Sequence, residues 1–272
     1  MNIPAAKALG SSFYWALRVL PKEQRDAMFR VYAFCRDVDD IADEPGDPVR
    51  KMACLQSLRA DVEALFDGQG VANGVSMLKP VVERYGLDKG DLLAVIDGMM
   101  TDAHASVRIA DEAAFDTYLD RVACAVGRMS DKVFGLDGET ADQLAAHLGR
   151  ALQITNILRD LREDANRDRL YIPMTLLRDA GIEADQPEAV LVHENFEGVL
   201  KGLAQRANDH FDKAQEILDA LDRSKTHAPR IMKAVYKRVL DKLEARGLAR
   251  TDVAVRVSKI EKLWHVLRHG VL

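Results

Sequence analysis

Apolar residues recur at intervals of three and four along almost the whole chain, the spacing of helices that bury one side, and no stretch alternates convincingly as a strand does. The pattern predicts a short aromatic-rich helix over 12–20, containing Phe13, Tyr14 and Trp15. Pro21 then opens a longer helix to about Glu44, with Met28, Tyr32, Cys35 and Ala42 on its apolar side. Asp47-Pro48 restarts a helix to about Phe66, and GQGVANG (68–74) is an exposed loop. Helices follow at about 75–85 and 90–107, from Asp111 to about Phe134, and from Glu139 to Asn166. RDRLYIP (167–173) leaves that helix in extended form, and Pro173 bars its continuation. Beyond a loop around Gly181 to Pro187, helices are predicted at 188–192, 195–222, 228–246 and 252–269. Gly98 costs about 1 kcal/mol against Ala inside a helix. It and the small residues along 122–127 therefore point to close approach of another helix or a ligand, or simply to core packing. With no repeat, low-complexity segment or linker, residues 1–272 read as one all-α domain.

Two of these helices also keep polar residues at helical spacing. Gln153, Asn156, Asp160 and Asp164 share one face on successive turns, while Ile154, Ile157, Leu158 and Leu161 take other positions and can pack. On the earlier helix Asp39 and Asp43 stand one turn apart, roughly 6 Å along the axis, with Asp40 beside them and Arg36 one turn before. These acids precede Pro45-Gly46 and so end a helix, where the macrodipole disfavours negative charge. Either run alone reads equally well as a solvated face. Two carboxylate ladders placed where solvation gains little suggest a shared task, most simply holding Mg²⁺, a hard cation that prefers oxygen ligands and bridges carboxylate to phosphate.

Composition narrows the partners. Apolar residues make up 48% of the 272, enough for a substantial core. A net charge of −5 without long runs of like charge argues against nucleic acid. Cys35, Cys54 and Cys124 are isolated, with neither zinc spacing nor a disulfide framework, which fits a reducing compartment. MNIPAAKALG lacks the apolar core of a signal peptide, and no window approaches the roughly 20 apolar residues of a membrane span, so the expected location is the cytoplasm. In the last predicted helix Ile260, Leu263, Trp264, Leu267 and Val271 form an apolar stripe flanked by Lys259, Lys262, His265, Arg268 and His269. Packing on the domain is the favoured reading of that stripe, and peripheral contact with an anionic membrane is the other.

Two metal chemistries suit paired acidic helix faces. A di-iron bundle needs Glu-x-x-His, which is absent here. A Mg²⁺–diphosphate site needs facing acids together with cations for the anion, and Arg36, Arg159, Arg167 and Arg169 all fall near the clusters. The allylic cation left when diphosphate departs needs a dry pocket with aromatic faces. Phe13, Tyr14, Trp15, Tyr32, Phe34, Tyr118 and Tyr171 are candidates, although any one of them is more often core.

SSFYWALRVLP (11–21), YAFCRDVDDIAD (32–43) and QITNILRDLREDANRDRLYIP (153–173) resemble the squalene/phytoene synthase family, and weaker matches at 98–135 and 230–263 extend the likeness over nearly the whole chain. The resemblance implies an all-α isoprenoid synthase bundle around a central cavity. Two Asp-x-x-x-Asp motifs face each other there and two prenyl diphosphates are joined head to head with Mg²⁺. It carries the first motif onto Asp39 and Asp43 and the second onto Asp160 and Asp164, with Asn156 as a further metal ligand. It makes Gln153 a substrate contact, Arg36, Arg159 and Arg169 diphosphate binders, and Ser12 and Phe13 an N-terminal contact segment. Tyr32, Tyr118 and Tyr171 become pocket tyrosines, with Tyr236 a weaker match. Thr101 in GMMTDA departs from the family's more usual Gly-Met-x-Met-Asp. DVAVRVSKIEKL (252–263) lacks an Arg where the family's last basic residue would align, since Arg256 falls two positions later. Within the family, SSFYWALRVLP, CRDVDDIADEPGD and DRVACAVGRMSDKVFG (120–135) are most similar to the bacterial branch that makes presqualene diphosphate for hopanoids. That branch implies two farnesyl diphosphates as substrates and no NADPH. Phytoene synthesis from two geranylgeranyl diphosphates and full squalene synthesis are the enzymatic alternatives, and a catalytically silent assembly factor is the non-enzymatic one. The resemblance leaves the oligomeric state open.

Overall fold

The computed structural model describes residues 12–71, 74–258, 261, 264–266 and 268. Helices α1 (Ser12–Leu17), α2 (Lys22–Asp43), α3 (Pro48–Phe66), α4 (Lys79–Tyr85), α5 (Lys89–Asp102) and α6 (Glu112–Leu119) make up the first half. Then come α7 (Ala125–Phe134), α8 (Gly138–Ala165), α9 (Met174–Asp179), α10 (Pro187–Leu191), α11 (Phe196–Ala220) and α12 (His227–Arg246). Local chemistry starts several of them. Asp47 accepts from Val49 N at 3.0 Å with Pro48 in the first turn, Asp88 accepts from Gly90 N at 2.7 Å, and Asp111 accepts from Ala114 N at 2.8 Å.

The long α8 is the axis. Its buried positions, from Ala141 through Leu152 to Ala165, surround the helix rather than forming one stripe, because α11, α7 and α12 pack on it from several sides. Between α6 and α7, residues Asp120–Cys124 form a π-helical turn. Two glycines explain how its neighbours come so close. A Cβ at Gly98 on α5 would meet Val122 at 2.6 Å, and one at Gly149 on α8 would meet the Cys124 backbone at 2.9 Å. Close approach is thus the answer at Gly98, and Gly127 similarly abuts Ala145. Nothing in the periodicity singles out Gly149.

Three predicted segments differ from the structure. The helix expected to reach 107 stops at Asp102, whose carbonyl receives Arg169 Nη2 at 2.9 Å in place of a further helical turn. Val107–Arg108 and Arg169–Leu170 then pair as two short parallel strands, β1 and β2, too brief to show alternation in sequence. Residues 252–258 are not helical, because Arg246 takes the carbonyls of Leu248 and Val253. Ser258 and Glu261 exchange hydrogen bonds in a capping box (2.9 and 3.2 Å), which places the helix start there. Most of the apolar stripe expected beyond lies outside the described residues. Among the described residues no helix is long and apolar enough to cross a membrane.

The packing of α8 on α11 includes one titratable contact, His147 Nδ1 to His210 Nδ1 at 2.9 Å. It needs one ring to donate and the other to accept. Burial, then His147, Arg150 and Arg206, push His210 down to about 4, against the opposing charge of Asp116. Burial, then Arg150 and Lys213, also lower His147. A depressed histidine binds fewer protons folded than unfolded, so its stabilisation is complete above its ordinary value of 6.5 and is lost as pH falls towards 4. Discounted for partial exposure, the loss should be about 2 kcal/mol. Urea melts between pH 7 and 4.5 should show it, and His210→Phe should flatten that slope; an equal slope in both proteins would place the acid sensitivity elsewhere.

Candidate active site

Because α2 and α8 each repeat a face every three or four residues, each lays a continuous strip along one cavity of about 260 Å³. α2 supplies Met28, Val31, Tyr32, Cys35, Arg36 and Asp39, and α8 supplies Leu144, Leu148, Leu152, Gln153 and Asn156. At 1.5 Å per residue either strip spans roughly 17 Å. Arg36, Asp39, Gln153 and Asn156 gather at one end, and the remaining wall is largely apolar, with Val95, Met99, Val126 and Met232 added from α5, α7 and α12. Tyr236 on α12 lines the wall and bonds Arg159. Ser12 and Phe13 begin α1, but their side chains lie outside the described residues.

Most of the acids at and near this end of the cavity are engaged by arginines. Arg36 bonds Asp39 at 2.6 Å and Asp40 at 2.8 Å, and Arg159 grips Asp160 with a two-pronged fork at 2.7 and 2.6 Å. Arg169 Nη1 donates to Asp43 Oδ1 at 2.7 Å, and Arg167 meets Oδ2 at 2.9 Å. Asp168, at φ 55°, is the one non-glycine among the described residues in the left-handed region, and it turns the chain between those two arginines. Burial would raise Asp43, yet hydrogen bonds and charge from Arg169 and then Arg167 hold it below the ordinary carboxylate value. Asp39 is raised by burial and then by Asp43, against Arg36. Among the described residues no guanidinium bonds Asp164, and burial followed by the charge of Asp160 pushes it up to about 8. Arg169 partly offsets that rise, so one buried guanidinium acts on both acidic ladders.

Residues 6–261 match the squalene/phytoene synthase family over most of the chain. The chain belongs to that family. A presqualene diphosphate synthase of Rhodopseudomonas palustris is 43% identical over 97% of this chain and 95% of its own length. A phytoene synthase of Thermus thermophilus is 34% identical, covering 89% of this chain and 81% of that one. The solved structure of a dehydrosqualene synthase in complex with ligand superposes with a TM-score of 0.82 at 22% identity, over 98% of this chain and 94% of the other, and so shares the helical fold.

For a squalene/phytoene synthase, two tyrosines are placed away from the cavity wall. Tyr118 and Tyr171 stack at 5.0 Å, and both hydroxyls donate to Asp102, at 3.1 and 2.7 Å. Asp102 is 5% exposed; burial lifts it to about 6 against the hydrogen bond from Tyr171 and the charge of Arg169. Spacing does not single it out, although it is the acid of the GMMTDA motif. An acid in line with the buried apolar residues Val95 and Met99 of the same helix is the signal the sequence offers.

The donor set suits a hard divalent cation. Asn156 Oδ1 is buried without a hydrogen-bond partner among the described residues, and its Nδ2 reaches Gln153 at 3.3 Å. Asp164, pushed up to about 8, makes no ion pair among the described residues, so its charged form has the most to gain from a bound cation. Among the described residues no three His, Cys, Asp or Glu side chains form a ready cage, since arginines occupy most of the acids. Mg²⁺ rarely needs one, because it keeps waters and is completed by substrate phosphates.

Proposed function

We propose that this protein joins two farnesyl diphosphates head to head, giving presqualene diphosphate, one diphosphate and one proton, with Mg²⁺ and without NADPH. The observation that carries the reading is the 43% identity, nearly end to end, with a presqualene diphosphate synthase. The cavity supports it, being apolar along its length and acidic at one end.

Asp39, Asp43, Asn156, Asp160 and Asp164 would hold the metal, which when bound offsets the charge developing on the leaving diphosphate. Arg36, Arg159 and Arg169 then serve the diphosphate oxygens; their forks already lie on carboxylates, a geometry that suits phosphate equally. Gln153 orients the substrate beside Asn156. Diphosphate leaves C1 of the first farnesyl chain. The electron pair of the second chain's C2–C3 double bond attacks that carbon, and loss of a proton from it closes the cyclopropane. The apolar wall keeps water from the allylic cation, and the rings of Tyr32 and Tyr236 face it. Tyr118 and Tyr171, tied to Asp102, brace the strand that carries Arg169.

Purified protein given farnesyl diphosphate and Mg²⁺, with NADPH omitted, should yield presqualene diphosphate by intact-product mass spectrometry, and EDTA should stop the reaction. Phytoene from geranylgeranyl diphosphate, with farnesyl diphosphate inert, would establish the longer-chain alternative. No product from either substrate would favour a non-catalytic role.

A further inference from the structure

The cavity has a second polar feature, at the end away from the metal-binding acids. α7 and α8 run antiparallel there, with Gly127 against Ala145 and Cys124 against Gly149. Continuing along α7, Ser130, Asp131 and Phe134 line the cavity together with Leu144 and Pro229. Asp131 is 5% exposed, and its Oδ2 is sealed from solvent with no hydrogen-bond partner among the described residues. Its neighbours on α7 are committed elsewhere. Arg128 bonds Asp91 and Asp120, Lys132 reaches the Gly86 carbonyl, and Ser130 donates to Val126 O. Burial and then Asp142 raise Asp131 well above the ordinary carboxylate range.

A buried polar group without a partner destabilises a fold, and an apolar residue of similar volume would serve packing better. We propose that Asp131 is a specificity-determining residue: its carboxyl forms a polar floor to the prenyl channel and rejects chains one isoprene unit longer than farnesyl. The inference rests on the reading that prenyl chains lie in this cavity with diphosphate at the Asp39 and Asn156 end. A farnesyl chain can stop short of the floor. The last isoprene of a geranylgeranyl chain has to be pressed against an acid to which it offers no hydrogen bond.

The test is the ratio of kcat/KM for geranylgeranyl over farnesyl diphosphate. Asp131→Val should raise the ratio about tenfold, equivalent to about 1.4 kcal/mol, mainly through KM of the longer substrate. Asp131→Asn keeps the floor polar and should leave the ratio near wild type. Asp131→Val should also melt at a higher temperature; should it fail to fold, Asp131→Ala removes the carboxyl with the least steric demand and is read the same way. An unchanged ratio in the apolar variant, or an equal rise in Asn, overturns the proposal. If wild type turns over neither substrate, the proposed function fails separately. The Kd ratio of the unreactive geranylgeranyl and farnesyl thiolodiphosphates in wild type and Asp131→Val then decides the floor, and equal ratios overturn it.

Discussion

Asp164→Asn should lower turnover by about three orders of magnitude, the scale on which a preorganised electrostatic group acts, while leaving the protein at least as stable as wild type. Asp164 is half-buried beside Asp160 and is pushed up to about 8. An acid raised in the fold binds protons more tightly folded than unfolded. It therefore destabilises the fold progressively as pH climbs from its ordinary 3.8 towards 8. Asparagine removes that penalty together with a metal-ligating oxygen charge. Wild type should gain thermal stability on addition of Mg²⁺ at pH 8, and the variant should gain much less. Steady-state kinetics and thermal melts at pH 6 and 8 separate the two effects. Full turnover in a folded Asp164→Asn protein would remove Asp164 from the site, and a lower melting temperature would contradict its unneutralised charge.

Arg169→Met should cost both activity and fold. Arg169 is 8% exposed and serves Asp43 Oδ1, the Ala42 carbonyl at 3.2 Å and the Asp102 carbonyl at 2.9 Å. Removing it takes one of two guanidinium partners from the half-buried Asp43 and leaves two buried carbonyls without their donor, so the expected loss is about 2–3 kcal/mol. Arg169→Lys keeps the charge but cannot reach three acceptors in a plane, so it should recover only part of the stability and little of the turnover. Denaturant melts and kcat measure the two. A methionine variant as stable as wild type would mean that Asp43 finds enough support from Arg167 alone.

Most helices were legible because helical burial repeats locally: the spacing that predicted α2 and α8 is the spacing that packs them. Asp39 and Asp43, one turn apart, and Asn156, Asp160 and Asp164, stacked on α8, were legible for the same reason. Gly98 was readable as a close contact, but its partner, a π turn at Val122, was not, since a single shift of helical phase cannot be told from an ordinary irregularity in so short an apolar run. The strand pair escaped notice because two residues cannot show a period.

What the sequence determined by itself is therefore the all-α class, the two acidic ladders and the family. Tertiary structure alone decided that Arg169 meets Asp43 across 126 positions, that Asp102 gathers Tyr118 and Tyr171, and that Asp131 faces a cavity rather than solvent. The physical reason is the range of the forces involved. Helical period and capping act over three or four residues, whereas the neighbours of a buried charge are set by how whole helices pack, which local spacing does not encode.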